Sequence, residues 1–293
     1  MTDSLLEAVA EAEETGASLG EFALAREAAA GLKTRGEIEA ALQRALDVMR
    51  NAVRRGLAGD LRSVSGLVGG DAARLRGLTG PLSGTLFTDV LANALAVQEV
   101  NAAMGVIVAA PTAGGAGVLP GVLLGLADRH ALDDSTLVRG LAAAGLVGAV
   151  VAVRASLSGA EGGCQAETGA AAGMAAAAGI EVLGGSPSVA AHAVALTMQG
   201  TLGLVCDPLG GLVEVPCVYR NATGAAIALA GIEMALAGIT FPIPVDEVID
   251  TMGEIGRSMD VRYRETAGGG LAATPTGRRL ARERLVQLKR RST

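Results

Sequence analysis

The sequence is poor in several residue types on which common protein functions depend. Of its 293 residues only 2% are aromatic, none is tryptophan, and there are three cysteines and two histidines. Three cysteines cannot all pair, so a disulfide framework is excluded and a reducing, cytoplasmic environment is favoured. The net charge of −6 argues against a general nucleic-acid-binding protein. We therefore expect a cytoplasmic protein with no nucleic-acid partner.

The remaining composition determines what the core can contain. Half of the residues are hydrophobic and 42 are glycine, so the core must be built from Ala, Gly, Leu and Val. Small side chains let helix backbones approach closely. No alternation of strand and helix patterns indicates a parallel sheet. The sequence predicts a mostly α fold of buried, small-residue-rich helices connected by Gly-rich loops.

Long uncharged segments raise the question of membrane insertion. Val100–Ala127 and Val182–Cys206 are both interrupted by proline and several glycines. The run Gly140–Val153 is too short to cross about 30 Å of hydrocarbon as a helix. We predict buried helices and no membrane span.

Helix signals suggest three parts of the chain. Residues 1–60 are predicted to form an N-terminal helical arm, in which Thr34 and Glu37 have the capping-box spacing that begins a helix. Residues 61–280 are predicted to form the main helical domain, with Pro244 beginning its last strongly amphipathic helix. Residues 281–293 are predicted to be a basic, solvated tail.

The three cysteines, Cys164, Cys206 and Cys217, are separated by 42 and 11 residues. A helix over 206–217 would hold its two sulfurs about 16 Å apart. Pro208, the glycines at 210 and 211, and Pro216 instead predict a loop that folds back. Cys164 follows two glycines and precedes a helical run, where the helix dipole favours the thiolate.

Spacing alone leaves three interpretations of these thiols open. Free cysteines are commonly small buried hydrophobic residues, and there is no CxxC pair to indicate a metal. Three thiolates and a water could bind zinc. Three thiolates on an iron–sulfur cluster would leave one iron open, as a Lewis-acid catalyst requires.

Four Gly-rich or cysteine-containing motifs stand out: SGAEGGCQAETGAAAGMAAAAG, GLVCDPLGGLVEVPC followed after Val218 by YRNA, VNAAMGVIVAAPTAGGAGVLPG and YRETAGGGLA. Together they resemble the α subunit, or α domain, of bacterial iron–sulfur L-serine dehydratases. The resemblance covers about residues 15–280. It implies a [4Fe–4S] cluster held by Cys164, Cys206 and Cys217, which would make residues 61–280 a cluster-bearing catalytic domain. It also implies conversion of L-serine to pyruvate and ammonia, with loss of the β-hydroxyl assisted by the open iron.

Several polar residues and glycines are candidates for binding the substrate, although packing or surface roles would explain the same residues. Asn101 lies within an otherwise apolar helix, where it could instead be a buried hydrogen-bond anchor. The other candidates are Ser65, Thr112, Gly114, Gly115, Gly117, Arg264 and Glu265.

The other usual catalytic groups are scarce. His192 is predicted to pack in the core and His130 to be exposed, so neither is a confident general base. Pyridoxal phosphate chemistry needs a lysine. Only Lys33 and Lys289 are present, neither near a Gly-rich loop, so we expect no pyridoxal phosphate.

The sequence also departs from the family pattern. Some members have a His-Asn pair where this chain has Gln199-Gly200-Thr201, and single-chain members have a Ser-rich SSSHT-type motif that this chain lacks. We expect a separate β subunit to supply that motif and the base, in a hetero-oligomer. No C-terminal cysteine is present to bind the open iron. The alternative is a non-catalytic metal- or cluster-binding protein with a sensing or structural role.

Overall fold

The computed structural model describes residues 3–78 and 85–291. Within those ranges it contains thirteen α-helices and no strand, which confirms the predicted mostly α fold. In chain order the helices are α1 Leu5–Thr15, α2 Leu19–Ala29, α3 Arg35–Leu57, α4 Asp71–Arg76, α5 Thr85–Ala102, α6 Val118–His130, α7 Asp134–Arg154, α8 Gly159–Gly162, α9 Ala170–Val182, α10 Pro187–Met198, α11 Cys217–Leu236, α12 Val245–Ser258 and α13 Pro275–Arg291.

Helix α9 is at the centre of the fold because its residues are small on every side. All of its residues are buried, and it packs against α6, α7, α10 and α11. A Cβ on Gly173 would lie 2.9 Å from Cγ of Met198, and one on Gly179 would overlap the side chain of Ile232. Glycine at these two positions is therefore required for the close approach of the neighbouring helices.

The amphipathic helices begin where the sequence predicts. Thr34 and Glu37 form a complete capping box at the start of α3. This helix buries Leu46 and Met49 in the main hydrophobic cluster. Helix α12 follows Pro244 and buries Val245, Val248, Ile249 and Met252 of its apolar stripe.

The predicted domain divisions fall within packed structure. Helix α1 contacts α10, α2 contacts α7, and α3 contacts α5, so residues 1–60 share the main hydrophobic cluster with the rest of the chain. The division before residue 281 falls inside α13, and residues 292 and 293 lie outside the described ranges. A functional separation into arm, catalytic domain and tail stays a prediction.

Helix α7 is long and apolar enough to cross a membrane, and it is the one such helix in the described part of the chain. The helix includes Arg139 and Arg154, the charged residues that flank Gly140–Val153, so it is longer than that uncharged run. Because 61% of its most apolar window is buried against other helices, α7 also fits the description of a core helix.

Candidate functional site

Cys164 lies at the start of an unusually wound helical segment. Gly163, with φ of +74°, turns the chain after α8, and Gln165–Gly169 then form a π-helical turn that continues into α9. Cys164 is 2% exposed, and its Sγ lies 3.2 Å from Oγ1 of Thr168. Such turns are frequent at functional sites.

The segment from Cys206 to Cys217 folds back, as its prolines and glycines predict. Gly210 and Gly211 have φ of +63° and +75°, and the Leu209 N–H donates to the Val215 carbonyl at 2.9 Å. Cys217 then begins α11. The turn therefore brings the two ends of the segment, each with a buried thiol, to the same side of the fold.

Cys206 is fixed by a short extended pairing with the chain around Arg264. The Cys206 N–H donates to the Tyr263 carbonyl at 2.8 Å, and the Glu265 N–H donates to the Cys206 carbonyl at 2.9 Å. Glu265 adopts φ of +64°, which is uncommon for a non-glycine residue. The YRETAGGG motif is thereby joined to the cysteine loop.

The three thiols share one electrostatic environment. Burial raises the pKa of Cys164, Cys206 and Cys217, in the last case to about 12. The charge of Cys164 adds to the rise at Cys206 and Cys217, and Cys217 adds to that at Cys206. These couplings require the thiols to face a common region. Without a metal, all three are neutral at physiological pH.

Arg220 supplies positive charge beside the thiols. It lies one helical turn after Cys217, and its charge opposes the pKa rise at Cys164 and Cys217. Its Nη1 lies 2.8 Å from Oδ1 of buried Asp207 and donates to the Val205 carbonyl at 2.8 Å. Sequence reasoning missed this residue, although its i+3 spacing from a cysteine was a usable signal.

Glu167 brings a buried carboxyl group to the same region. It lies three residues after Cys164, and its Oε2 is 3.9 Å from Sγ of Cys206. Burial raises the pKa of Glu167, and the charge of Glu265 adds to the rise. A Cβ on Gly159 would lie 2.7 Å from Oε2 of Glu167 and 3.3 Å from Sγ of Cys206, so the glycine leaves room for both. Sequence reasoning also missed Glu167.

The structure brings Thr112 and Gly114 to this site. Thr112 Oγ1 donates to Oε1 of Glu167 at 2.8 Å, and a Cβ on Gly114 would lie 2.8 Å from both carboxylate oxygens. Asn221 joins the same loop to α11, since it accepts from the Gly117 N–H at 2.9 Å and donates to the Cys217 carbonyl at 2.9 Å. Gly115 also packs closely, because its Cβ would lie 2.8 Å from the Glu167 carbonyl oxygen.

Ser65 and Asn101 have partners within the protein. Both the N–H and the hydroxyl of Ser65 donate to the buried carboxylate of Glu214, which lies in the cysteine loop. The Asn101 amide donates to Gln98 and to the Ala113 carbonyl, each at 3.3 Å. These contacts support the loops that carry the site. Their assignment as substrate ligands stays a prediction.

The histidines are located as the sequence predicts. His192 is half-buried on α10, and its Nδ1 accepts from the Phe241 N–H at 3.3 Å. His130 is exposed at the end of α6. Lys33 is exposed in the turn between α2 and α3, and the side chain of Lys289 lies outside the described residues.

The fold and the site define a class: an all-α protein with three buried thiols gathered where Gly-rich loops meet. Comparison with known proteins gives the family. Residues 4–272 match the model of the family described as serine dehydratase alpha chain. The chain belongs to that family.

The chain matches some relatives along most of their length and others along little more than half of it. It is 50% identical over 268 residues to the probable L-serine dehydratase alpha chain of Bacillus subtilis, covering 90% of this chain and 89% of the relative. It is 39% identical over 277 residues to the L-serine dehydratase alpha chain of Peptoniphilus asaccharolyticus, covering 94% of this chain and 95% of the relative. L-serine dehydratase 2 of Escherichia coli is 39% identical over 277 residues, with 89% of this chain but 59% of the relative covered.

Proposed function

We propose that this chain is the α subunit of an L-serine ammonia-lyase that converts L-serine to pyruvate and ammonia with a [4Fe–4S] cluster held by Cys164, Cys206 and Cys217. The observation that carries the proposal is the gathering of these three buried, mutually coupled thiols in a chain of this family. The names of the relatives support the substrate.

Three buried thiols are a donor set that a zinc ion or an iron–sulfur cluster can use. The thiols of Cys164, Cys206 and Cys217 are buried and electrostatically coupled, which supports their binding one group together. The resemblance of the motifs to iron–sulfur L-serine dehydratases favours a four-iron cluster with one iron open over zinc.

When bound, the cluster would supply Lewis-acid stabilisation of the departing hydroxide. The residues of this chain would hold it and tune its surroundings. The guanidinium of Arg220 stabilises the deprotonated thiols that cluster binding requires. Thr112 orients the Glu167 carboxylate beside Cys206. Gly114 and Gly159 leave room for the Glu167 carboxylate, and Gly159 also leaves room for the Cys206 sulfur.

A separate β subunit would complete the site. The relatives that match along most of their length are called alpha chains, and the longer Escherichia coli relative has a further segment that the match does not cover. A complex of two kinds of chain would supply the Ser-rich motif and the general base. Neither His192, bound to the Phe241 N–H, nor exposed His130 is the base in this proposal.

The proposal uses no pyridoxal phosphate, and it assigns the enzyme to the cytoplasm. A Schiff base on exposed Lys33 would lie in the turn between α2 and α3, a different part of the chain from the thiols. Buried free thiols suit a reducing compartment.

The proposal is tested by anaerobic purification of the chain with its β chain. We expect a brown complex with about four iron and four sulfide per α chain, and pyruvate release that depends on L-serine and on both chains. A complex with the cluster but no turnover would favour the alternative, a non-catalytic cluster-binding sensor or structural protein. A colourless zinc protein would overturn the cluster assignment.

A further inference from the structure

A cavity of about 300 Å³ opens beside the cysteine site and contains charges of both signs. Its wall includes Gly162 and Ala166, the residues on either side of the Cys164 turn, and Arg264, which pairs with Cys206. None of the cysteines lines the cavity, but residues two positions from Cys164 and the residue paired with Cys206 do. A cavity of this size is at the small end of the range for ligand sites.

Arg264 lines this cavity and also has a buried donor without a partner in the described part of the chain. Its Nε is buried and has no hydrogen-bond partner among the described residues. A buried guanidinium N–H without an acceptor is costly, and its preferred partner is a carboxylate or another planar anion. Arg257 adds a second guanidinium to the wall. These two arginines form the cationic side of the cavity.

Glu161 supplies an anionic group to the same cavity. Glu161 and Arg257 are both exposed, so they lie at the open side of the cavity. Oε2 of Glu161 accepts from Ser156 Oγ at 2.6 Å, which orients the carboxylate. Within residues 3–78 and 85–283, no ion pair joins Glu161 to Arg257 or Arg264, although all three line one small space. Opposite charges that share a cavity without pairing are complementary to a ligand that carries both.

We propose that this cavity binds the zwitterionic backbone of the substrate amino acid, with its carboxylate on Arg264 and its ammonium near Glu161. This inference rests on the proposed function and names the part of the site that this chain contributes to substrate recognition. Because Gly162, Ala166 and Arg264 of the cavity wall are neighbours of Cys164 and Cys206, the substrate itself is favoured over a remote effector. The hydroxyl-bearing carbon would then lie towards the thiols.

The test compares Arg264→Gln and Arg264→Lys with Arg262→Gln in the αβ complex. Arg262 is a matched control because its side chain is 57% exposed and pairs with Asp260 on the surface. For Arg264→Gln we expect the KM for L-serine to rise about tenfold or more, with kcat changed much less, because one charge-assisted carboxylate contact is lost. Arg264→Lys should recover part of the affinity, and Arg262→Gln should leave KM unchanged.

Two further measurements separate recognition from folding or cluster loss. Iron content should be equal in all variants. Calorimetry should show that L-alanine, a zwitterion without the hydroxyl, binds Arg264→Gln more weakly than it binds wild type or Arg262→Gln. L-Serine methyl ester, which lacks the carboxylate charge, should bind wild type and Arg264→Gln equally. An unchanged KM in Arg264→Gln, or L-alanine inhibition that is not competitive with L-serine, would overturn the inference. A wild-type complex without serine-dependent pyruvate release would instead contradict the proposed function.

Discussion

The ion pair between Arg220 and Asp207 gives the strongest test of how the site is held. The carboxylate of Asp207 is 2% exposed and accepts from the Leu271 N–H at 2.6 Å, so without Arg220 it would keep one described partner. Removing one partner of a buried pair typically costs about 3–5 kcal/mol. The Arg220 side chain is 17% exposed, so we expect about 3 kcal/mol for Arg220→Gln, a large part of the total stability of a domain.

The assay is urea unfolding of the cluster-free chain, followed by iron retention in the αβ complex. Arg220→Gln should also lose the cluster faster than wild type, because the positive charge of Arg220 stabilises the thiolates of Cys164 and Cys217. Arg262→Gln, which breaks an exposed pair, should cost less than about 1 kcal/mol. Asp207→Asn combined with Arg220→Gln should destabilise less than the sum of the single changes. Equal effects of the two arginine variants on stability and iron retention would refute the reasoning.

Three further predictions concern packing, pH and the histidine. Gly114→Ala should cost about 1–3 kcal/mol because its Cβ displaces the Glu167 carboxylate, whereas Gly145→Ala, with open space in α7, should be neutral or stabilising in the same thermal unfolding assay. The raised pKa of Cys217, about 12 when folded, makes the cluster-free chain less stable as pH rises above the unfolded thiol value. The free energy of unfolding in urea should fall between pH 7 and pH 10 by about 1 kcal/mol more in wild type than in Cys217→Ala. An equal fall in the two proteins would contradict the assigned burial. His192→Ala should lower the melting temperature and leave turnover per cluster unchanged; lost turnover with intact cluster would make it a catalytic residue.

Local sequence patterns were sufficient for the helices and for the cysteine loop. The capping box at Thr34 and the apolar stripe after Pro244 both reflect interactions within a few residues, so they can be read without knowing the fold. The return of the 206–217 segment follows from proline and glycine geometry in the same way. Buried small-residue helices were likewise predictable from composition.

The polar environment of the site was not predictable in the same way. Glu167 and Arg220 are charged residues within helical segments, and only the packing of α9, α11 and the Gly-rich loops buries them beside the thiols. Ser65 was predicted from its loop, but its bond to Glu214 joins segments 149 residues apart. Such partners depend on tertiary contacts, although the i+3 spacing of Glu167 and Arg220 from cysteines was available in the sequence.

The central claim is that three thiols of this chain hold an iron–sulfur cube with one iron free for the substrate. Mössbauer spectroscopy of the iron-57 complex tests it most directly, with Cys206→Ser as the comparison. We expect two iron environments in roughly a three-to-one ratio, a change in the minor one alone when L-serine is added, and loss of the whole signal in Cys206→Ser. Four equivalent irons that do not respond to L-serine, or a full signal in Cys206→Ser, would contradict the account.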